Sequence, residues 1–111
     1  MTWSVIYTEN SIRDYQKLDG SQRIAVDKVI RRVSLNPLPI NDGGYGKPLG
    51  NKNNNYLTGF LKIKLKRLGI RIVYGLKRVD SQMKIIVIGL RSDDEVYLEA
   101  TKRIKEGDFE K

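Results

Sequence analysis

The chain has 111 residues, enough for one domain (residues 1–111) with a single sheet and a few helices but too few for a second hydrophobic core. It carries 21 Lys and Arg against 13 Asp and Glu, and the resulting net charge of +8 favours a polyanionic partner such as nucleic acid. It contains neither His nor Cys, which excludes paired-histidine ribonuclease chemistry, imidazole metal ligands, thiolate chemistry and a disulfide framework.

The positive charge is concentrated in the middle of the chain. Residues 43–79 hold nine basic side chains and no acidic one, whereas residues 92–111 hold seven acids and four bases. A membrane surface would also attract such a segment, but neither a run of about 18 apolar residues nor a basic amphipathic helix accompanies it. We therefore expect no membrane partner. The lack of Cys and of a secretion-like N-terminal segment favours a cytoplasmic protein.

The first third of the chain predicts one strand and two helices. Residues 3–7 are mostly aromatic or β-branched and predict a strand. Residues 11–18 place apolar side chains on one helical stripe, and this helix should stop near Gly20. A second helix should begin with Ser21 as its N-cap, bury one apolar face and end before Pro37.

A long loop and three strands should follow. Residues 37–55 are rich in Pro, Gly and Asn and lack apolar periodicity, so they predict a loop that is either functional or a mobile surface segment. The last of the three strands should be central and buried on both faces, because residues 85–88 are all apolar. The three antiparallel strands are expected at residues 60–66, 70–76 and 83–90.

A final helix completes the predicted fold. Ser92 and Glu95 have the spacing of a capping box, and the helix should run to about residue 105, with Gly107 as its stop. The element order is then β-α-α-β-β-β-α. This order predicts an α+β fold: a small antiparallel sheet with a mixed edge, a helical hairpin packed on one face, and a C-terminal helix.

Strand alternation predicts a cationic face. The period of two along residues 61–66 sends Lys62, Lys64 and Lys66 to one side and the apolar residues to the core. A tight turn would set Arg71 opposite Lys66 and Val73 opposite Lys64. Like charges facing each other across strands cost up to about 1 kcal/mol, which a bound phosphate chain would offset. A solvated face that uses lysine for solubility and edge protection is an equal alternative.

Arg91 and Tyr97 lie where the buried strand passes into the last helix. Arg91 near the helix N-terminus suits an anionic group, or it forms a salt bridge to Asp93 or Asp94. Tyr97 either projects back over the sheet edge or packs as an ordinary core aromatic. The residues alone leave both alternatives open.

Four segments, in order, resemble motifs of the RelE-type toxins of bacterial toxin–antitoxin systems. The opening strand and the two helices also fit, so the resemblance covers nearly the whole chain. The loop at residues 39–56 is longer than in compact members, and Leu61 stands where an aromatic residue is common. The four segments are Lys62-Ile63-Lys64-Leu65, Gly69-Ile70-Arg71-Ile72-Val73-Tyr74, Ile88-Gly89-Leu90-Arg91 and Glu95-Val96-Tyr97.

The resemblance implies a metal-independent endoribonuclease (an mRNA interferase) that needs no cofactor and cleaves mRNA in the ribosomal A site by 2′-hydroxyl attack. The implied partners are a cognate antitoxin and the ribosome with its mRNA. The catalytic positions that it implies are Lys62, Lys64, Arg71, Arg91 and Tyr97. Six further cations are expected to bind RNA, namely Lys47, Lys52, Lys66, Arg67, Lys77 and Arg78.

These residue types can perform the implied reaction, because RNA supplies its own nucleophile. Arg71 and Arg91 would stabilise the charge on the phosphate. Lys62 and Lys64 would hold the backbone and tune proton transfer. Tyr97 would stack on a base or accept the proton. With neither His nor an evident carboxylate, we expect weak activity on free RNA, with the ribosome supplying the substrate geometry.

Two other functions remain open at this point. The first is a ParE-like inhibitor of DNA gyrase built on the same scaffold, although such toxins generally lack this Lys, Arg and Tyr set. The second is an RNA- or ribosome-binding module that represses translation without cleaving.

Overall fold

Five strands form one mixed sheet between two layers of helix in the computed structural model, which describes residues 2–52 and 55–110. None of the helices in these ranges is long and apolar enough to cross a bilayer. The helices are α1 (Glu9–Gln16), α2 (Gly20–Val33) and α3 (Asp93–Lys105). The strands are β1 (Ser4–Tyr7), β2 (Lys47–Pro48), β3 (Asn51–Lys52), β4 (Asn55–Tyr56), β5 (Phe60–Leu65), β6 (Ile70–Lys77) and β7 (Gln82–Gly89).

The sheet has the strand order β1-β7-β6-β5-β2. Strand β1 pairs parallel with β7, and the other neighbours pair antiparallel, so the predicted α+β fold with a mixed edge is confirmed. Strands β3 and β4 form a separate two-stranded ribbon. The five-stranded sheet therefore places β6 at its centre, with β5 and β7 on either side.

Each face of the sheet carries its own hydrophobic cluster. The hairpin of α1 and α2 packs Val26 and Ile30 against residues such as Ile72. On the other face, α3 packs Val96 and Ala100 against β6 and β7. Helix α3 therefore lies over the side of β5 and β6 that does not face the helical hairpin.

Strand β7 is internal and buried, as its apolar run predicts. Val73 pairs with Val87, but the next residue, Tyr74, pairs with Ile85 and not with Ile86. The extra residue makes a β-bulge. Because of this bulge, the adjacent Ile86 and Val87 both belong to the cluster beneath α3.

Both N-terminal helices begin earlier than the sequence predicts. Helix α1 starts at Glu9, since Thr8 is its N-cap and accepts a hydrogen bond from the Ser11 backbone at 2.9 Å. Helix α2 has Asp19 as its N-cap in place of the predicted Ser21. Asp19 accepts from the Gln22 backbone at 2.8 Å, and the Gln22 side chain accepts from the Asp19 backbone at 2.9 Å. In both cases the reciprocal capping box outweighs the first apolar position as the start of the helix.

The predicted loop contacts the sheet through residues that the structure describes between positions 37 and 52. A short 3₁₀ helix spans Ile40–Asp42, and β2 adds to the edge of the sheet beside β5. The buried Tyr74 hydroxyl donates to the Pro37 carbonyl at 2.8 Å. Gly46 lies against the same ring, where an added Cβ would come within 2.3 Å of the Tyr74 oxygen. The loop is therefore seated on the central strand.

A buried ion pair joins α1 to α3. Arg103 and Asp14 form a bidentate contact with N–O distances of 2.6 and 3.0 Å, and both side chains are 11% exposed. Asp14 also accepts from the Ile88 backbone at 3.0 Å, and Arg103 donates to the Ile86 carbonyl at 2.9 Å. The pair thus ties both helices to β7.

The segment after α3 folds back onto the sheet. The Phe109 ring packs edge-on against Phe60, with 4.9 Å between ring centroids. Lys84, a buried residue of β7, donates to the Phe109 carbonyl at 3.1 Å. Gly75 leaves the space for this ring, because an added Cβ would lie 2.4 Å from it. These contacts hold the C-terminal end of α3 in place.

Replacing Asp14 with Ala should lower the free energy of unfolding by about 3 to 5 kcal/mol, because the largely buried Arg103 would lose its bidentate partner and keep only the more exposed Glu99. Urea denaturation measures the loss. Glu99 provides the control: it also pairs with Arg103, at 2.8 Å, but its side chain is 42% exposed. Glu99→Ala should cost at most about 1 kcal/mol. Equal losses in the two variants would contradict the structural role given to Asp14.

Candidate active site

The pairing of β5 with β6 sets three predicted site residues on the face covered by α3. Lys62 lies opposite Val73, and Lys64 lies opposite Arg71. The prediction that Arg71 faces Lys66 is therefore wrong by two residues, and so is the predicted pairing of Val73 with Lys64. The cationic face holds two lysines of β5, not three.

The turn between β5 and β6 accounts for this register. The chain leaves β5 after Leu65 and makes a 3₁₀ turn over Lys66–Leu68. Gly69 closes the turn in the left-handed region, with φ of 66°, which a glycine adopts without strain. Ile70 then pairs with Leu65, so four residues connect the strands. Lys66 belongs to the turn and is exposed.

A carboxylate from α3 lies between the two opposed cations. Asp93, the first residue of the helix, accepts from Lys64 Nζ at 2.9 Å and from Arg71 Nε. Arg71 also donates through Nη1 to the Arg91 carbonyl at 2.6 Å and to the Gly69 carbonyl at 3.1 Å. The hydrogen bonds from Lys64 and then Arg71 hold the pKa of Asp93 below its usual range. Asp93 therefore stays ionised and neutralises part of the cationic face.

Sequence reasoning missed Asp93 as a site residue. From the sequence, Asp93 is expected only as a possible salt-bridge partner of Arg91, and no carboxylate is expected among the catalytic residues. Two cations that face each other across strands favour an anion between them, so the predicted like-charged pair could have indicated a carboxylate. Which carboxylate lies there can be predicted only when the register of β5 and β6 is known.

Tyr97 projects over the face of the sheet rather than its edge. Its ring lies 5.7 Å from Lys62 Nζ, within the range of a cation–π contact. Its hydroxyl is buried and has no hydrogen-bond partner among the described residues. Burial is the main cause that raises its pKa, and Asp93 adds to the rise, while Lys64 and Arg71 oppose it. The net direction is opposite to what the two cations alone would produce, so the phenol stays protonated at neutral pH.

Arg91 is the most exposed of the five predicted catalytic residues, with 77% of its side chain accessible. Its guanidinium is 3.9 Å from Glu95, one turn further along α3. It forms neither of the salt bridges considered above, because Asp93 is engaged by Lys64. The Arg91 side chain therefore lies at the rim of the site, while its carbonyl holds Arg71.

The six predicted RNA-binding cations fall into separate groups. Lys47 pairs with Lys62 across the sheet edge and is exposed. The exposed Lys66 and Arg67 line a cleft with Lys64. These three lie beside the predicted catalytic residues. The side chain of Lys52 is outside the described part of the chain.

Lys77 and Arg78 lie at the other end of β6. They are about 20 Å from Arg71, since six or seven residues of extended chain separate them. Lys77 lies 5.0 Å from the centre of the Phe109 ring, and Arg78 is 3.6 Å from Asp42. The structure therefore does not bring these two cations together with the catalytic candidates.

A second cleft, of about 180 Å³, continues the cationic face beyond β5. Arg32 from α2 and Tyr45 from the long loop line it together with Lys47 and Lys62. The Arg32 guanidinium lies 5.6 Å from the centre of the Tyr45 ring, which is half-exposed. The sequence gives no signal for this pair, because its members come from elements that meet only in the fold. No group of three or more acidic side chains in the described ranges could hold a metal ion.

Solved toxin structures share this fold, whereas no protein-family model and no curated protein matches the chain. A free-state Escherichia coli RelE toxin with two Arg-to-Ala substitutions is 27% identical with a TM-score of 0.67, covering 94% of this chain and 99% of that one. The isolated E. coli RelE toxin is 25% identical with a TM-score of 0.66, covering 92% and 98%. A chain of the Mycobacterium tuberculosis RelBE2 toxin–antitoxin complex is 23% identical with a TM-score of 0.65, covering 82% and 100%.

Replacing Tyr97 with Phe should leave the free energy of unfolding unchanged or raise it by about 1 kcal/mol, because a buried hydroxyl without a partner is removed. Chemical denaturation measures this. Tyr74→Phe is the matched control, since its hydroxyl is also buried but donates to Pro37. It should lose about 1 kcal/mol. A clear loss in the Tyr97 variant would show that its hydroxyl has a partner in solution.

The Asp93 contacts should make stability depend on pH at the acid end. A carboxyl whose folded pKa is lowered stabilises the fold above its unfolded pKa, about 3.9, and loses that contribution as pH falls through the folded value. The stability difference between the wild type and Asp93→Asn should therefore be constant above about pH 5 and shrink below about pH 4. Denaturation at a series of pH values measures it. A difference that grows on acidification would contradict the assignment.

Proposed function

We propose, on the premise that the chain belongs to the RelE-type toxin superfamily, that it is the toxin of a type II toxin–antitoxin system and cleaves mRNA in the ribosomal A site. The main support for the proposal is the surface where β5, β6 and the first turn of α3 lie next to one another. There Lys62, Lys64, Arg71 and Tyr97 share one face, and Arg91 lies at its rim. The 27% identity and nearly complete overlap with a RelE toxin support the same reading.

The proposed chemistry uses the 2′-hydroxyl of the RNA as the nucleophile. Its oxygen loses its proton and bonds to the adjacent phosphorus, the bond to the 5′-oxygen breaks, and that oxygen takes up a proton. The products are a 2′,3′-cyclic phosphate and a 5′-hydroxyl, with no net gain or loss of protons. Arg71 and Arg91 stabilise the negative charge that develops on the phosphate oxygens. Lys62 and Lys64 hold the backbone in the orientation that in-line attack requires. No metal or cofactor enters the proposal.

The environment of Tyr97 bears on its proposed role. Burial raises the pKa of its hydroxyl, so a phenolate that accepts the nucleophile's proton is unfavourable in this conformation. The ring lies beside Lys62 and close to the cationic face. We therefore favour Tyr97 as a platform on which a base stacks, an interaction worth about 1 to 3 kcal/mol per base.

The proposed partners follow from the same premise. Three of the similar structures are complexes of such a toxin with an antitoxin or an antitoxin peptide, and we propose a cognate antitoxin for this chain. The site lacks His, and Asp93 neutralises part of its positive charge, so we propose that the ribosome supplies the substrate geometry. An action on the ribosome places the proposed activity in the cytoplasm. Inhibition of gyrase is the less favoured alternative, because the catalytic set expected of a RelE-type nuclease is present on one face.

Brief induction of the chain, followed by mapping of RNA 5′ ends, tests the function. Cleavage should appear within translated codons, with 5′-hydroxyl ends and at positions that move with the ribosome. Gyrase-dependent DNA breaks with intact transcripts would favour the gyrase inhibitor. Arrested growth with both intact DNA and intact transcripts would favour a translation repressor that does not cleave.

Arg91→Ala should slow single-turnover cleavage of ribosome-bound mRNA on the order of 100-fold, because one donor to the phosphate is lost. The fold should survive, since the side chain is mostly exposed. Lys28→Ala is the matched control: Lys28 is an exposed cation on α2, which packs on the opposite face of the sheet from α3, and its variant should cleave at the wild-type rate. Wild-type rates in the Arg91 variant would remove Arg91 from the site.

A further inference from the structure

The Lys64 and Arg71 side chains already have an anion bound between them. Asp93 accepts a hydrogen bond from each, and its side chain is 35% exposed, so the contact lies at the surface where RNA would approach. Arg71 gives its remaining described hydrogen bonds to two backbone carbonyls. One N–H donor of Lys64 and one of Arg71 that could hold a substrate phosphate are therefore taken by an internal carboxylate.

We propose that Asp93 is a specificity-determining residue that competes with the substrate phosphate for Lys64 and Arg71, so that only a phosphodiester delivered in position enters the site. This inference rests on the proposed function in that it takes the cationic face as the RNA site. A phosphodiester and a carboxylate each carry one negative charge. The two anions therefore compete for the same donors, and what distinguishes them is whether each is held in position beside Lys64 and Arg71.

Asp93 has an advantage over a free phosphate because it is part of the same chain as Lys64 and Arg71. Its carboxylate is fixed at the first turn of α3, so it meets the two cations at the high effective concentration of an intramolecular group. A phosphodiester on a freely diffusing strand has no such advantage. A phosphodiester held in place by a larger assembly competes on equal terms. Asp93 therefore discriminates against free RNA without opposing a positioned one.

The exchange requires no rearrangement of the sheet. Lys64 and Arg71 are opposed across β5 and β6, and the backbone carbonyls that hold Arg71 do not involve the Asp93 side chain. An aspartate that is about one-third exposed can rotate toward solvent when an anion replaces it. Removing only its charge should therefore leave the two cations in place and their donors available.

Binding of a short all-2′-deoxy oligonucleotide tests this, because the probe carries phosphodiesters but lacks the nucleophile and cannot be cleaved. Fluorescence anisotropy should show that Asp93→Asn binds at least about tenfold more tightly than the wild type, the gain expected from one added charge-assisted contact. The salt dependence should also steepen, by about 0.7 in the logarithmic slope for each added phosphate contact.

Asp94→Asn is the matched control. Asp94 is exposed, lies in the same helical turn and loses the same charge, so it reports the general effect of one negative charge fewer. It should change affinity by less than about twofold. Asp93→Glu, which keeps the charge, should bind as weakly as the wild type. Thermal unfolding of all three variants verifies that they are folded.

Two results would overturn the inference. Equal tightening in the Asp93 and Asp94 variants would mean that only net charge matters. Weaker binding in Asp93→Asn would mean that Asp93 positions the cations for substrate instead of competing with it.

Cleavage assays separate this inference from the proposed function. Asp93→Asn should cleave ribosome-free RNA at least about tenfold faster than the wild type, the rate following the gain in binding. Tighter binding by Asp93→Asn without cleavage by either protein on ribosomes would refute the proposed nuclease and support the competing carboxylate. Cleavage by the wild type with no gain in binding for Asp93→Asn would do the reverse.

Discussion

The hydrogen-bonded register of β5 and β6 is the constraint on which the site depends. It sets Lys64 directly opposite Arg71, and two cations at that separation destabilise the sheet unless an anion lies between them. Asp93 supplies the anion from α3. The same contact fixes the start of α3 over the sheet, and through it the positions of Arg91 and Tyr97. One cross-strand pair thus determines the arrangement of a surface built from three elements.

The far end of α3 is held by different forces. Arg103 forms a buried pair with Asp14, and the segment after the helix packs Phe109 against Phe60. Burial makes these contacts stronger than the more exposed contact at Asp93, because water screens the latter. The helix is therefore attached firmly at its C-terminal end and by an exchangeable ion pair at the end that bears the site. This asymmetry allows the site end to respond to an anion without loss of the fold.

The sequence predicted the elements and the faces of the sheet better than it predicted the site. Alternation along β5 was sufficient to predict which of its side chains face the core, because a strand buried on one face has a period of two. The apolar run of β7 was sufficient to predict a strand that is buried on both faces. The helix starts were missed at Thr8 and Asp19, since a capping box lies upstream of the apolar pattern. The predicted register was wrong by two residues because the 3₁₀ turn takes Lys66 out of the strand. The contact of Asp93 with Lys64 and Arg71 could not be predicted without the correct pairing of β5 and β6. The residues around Asp93 carry no pattern that would indicate this contact.

A site without His must obtain its acid and base chemistry from groups whose usual pKa values lie far from neutrality. Here the environment moves two of them further away: the pKa of Tyr97 is raised and that of Asp93 is lowered. The resting site thus holds a neutral phenol and an ionised, paired carboxylate, and neither is poised for proton transfer. A phosphodiester that takes the place of Asp93 at Lys64 and Arg71 brings its own 2′-hydroxyl, so the proposed reaction depends on how the RNA is oriented rather than on a protein group poised as acid or base. This agrees with the proposed preference for an RNA that is held in position.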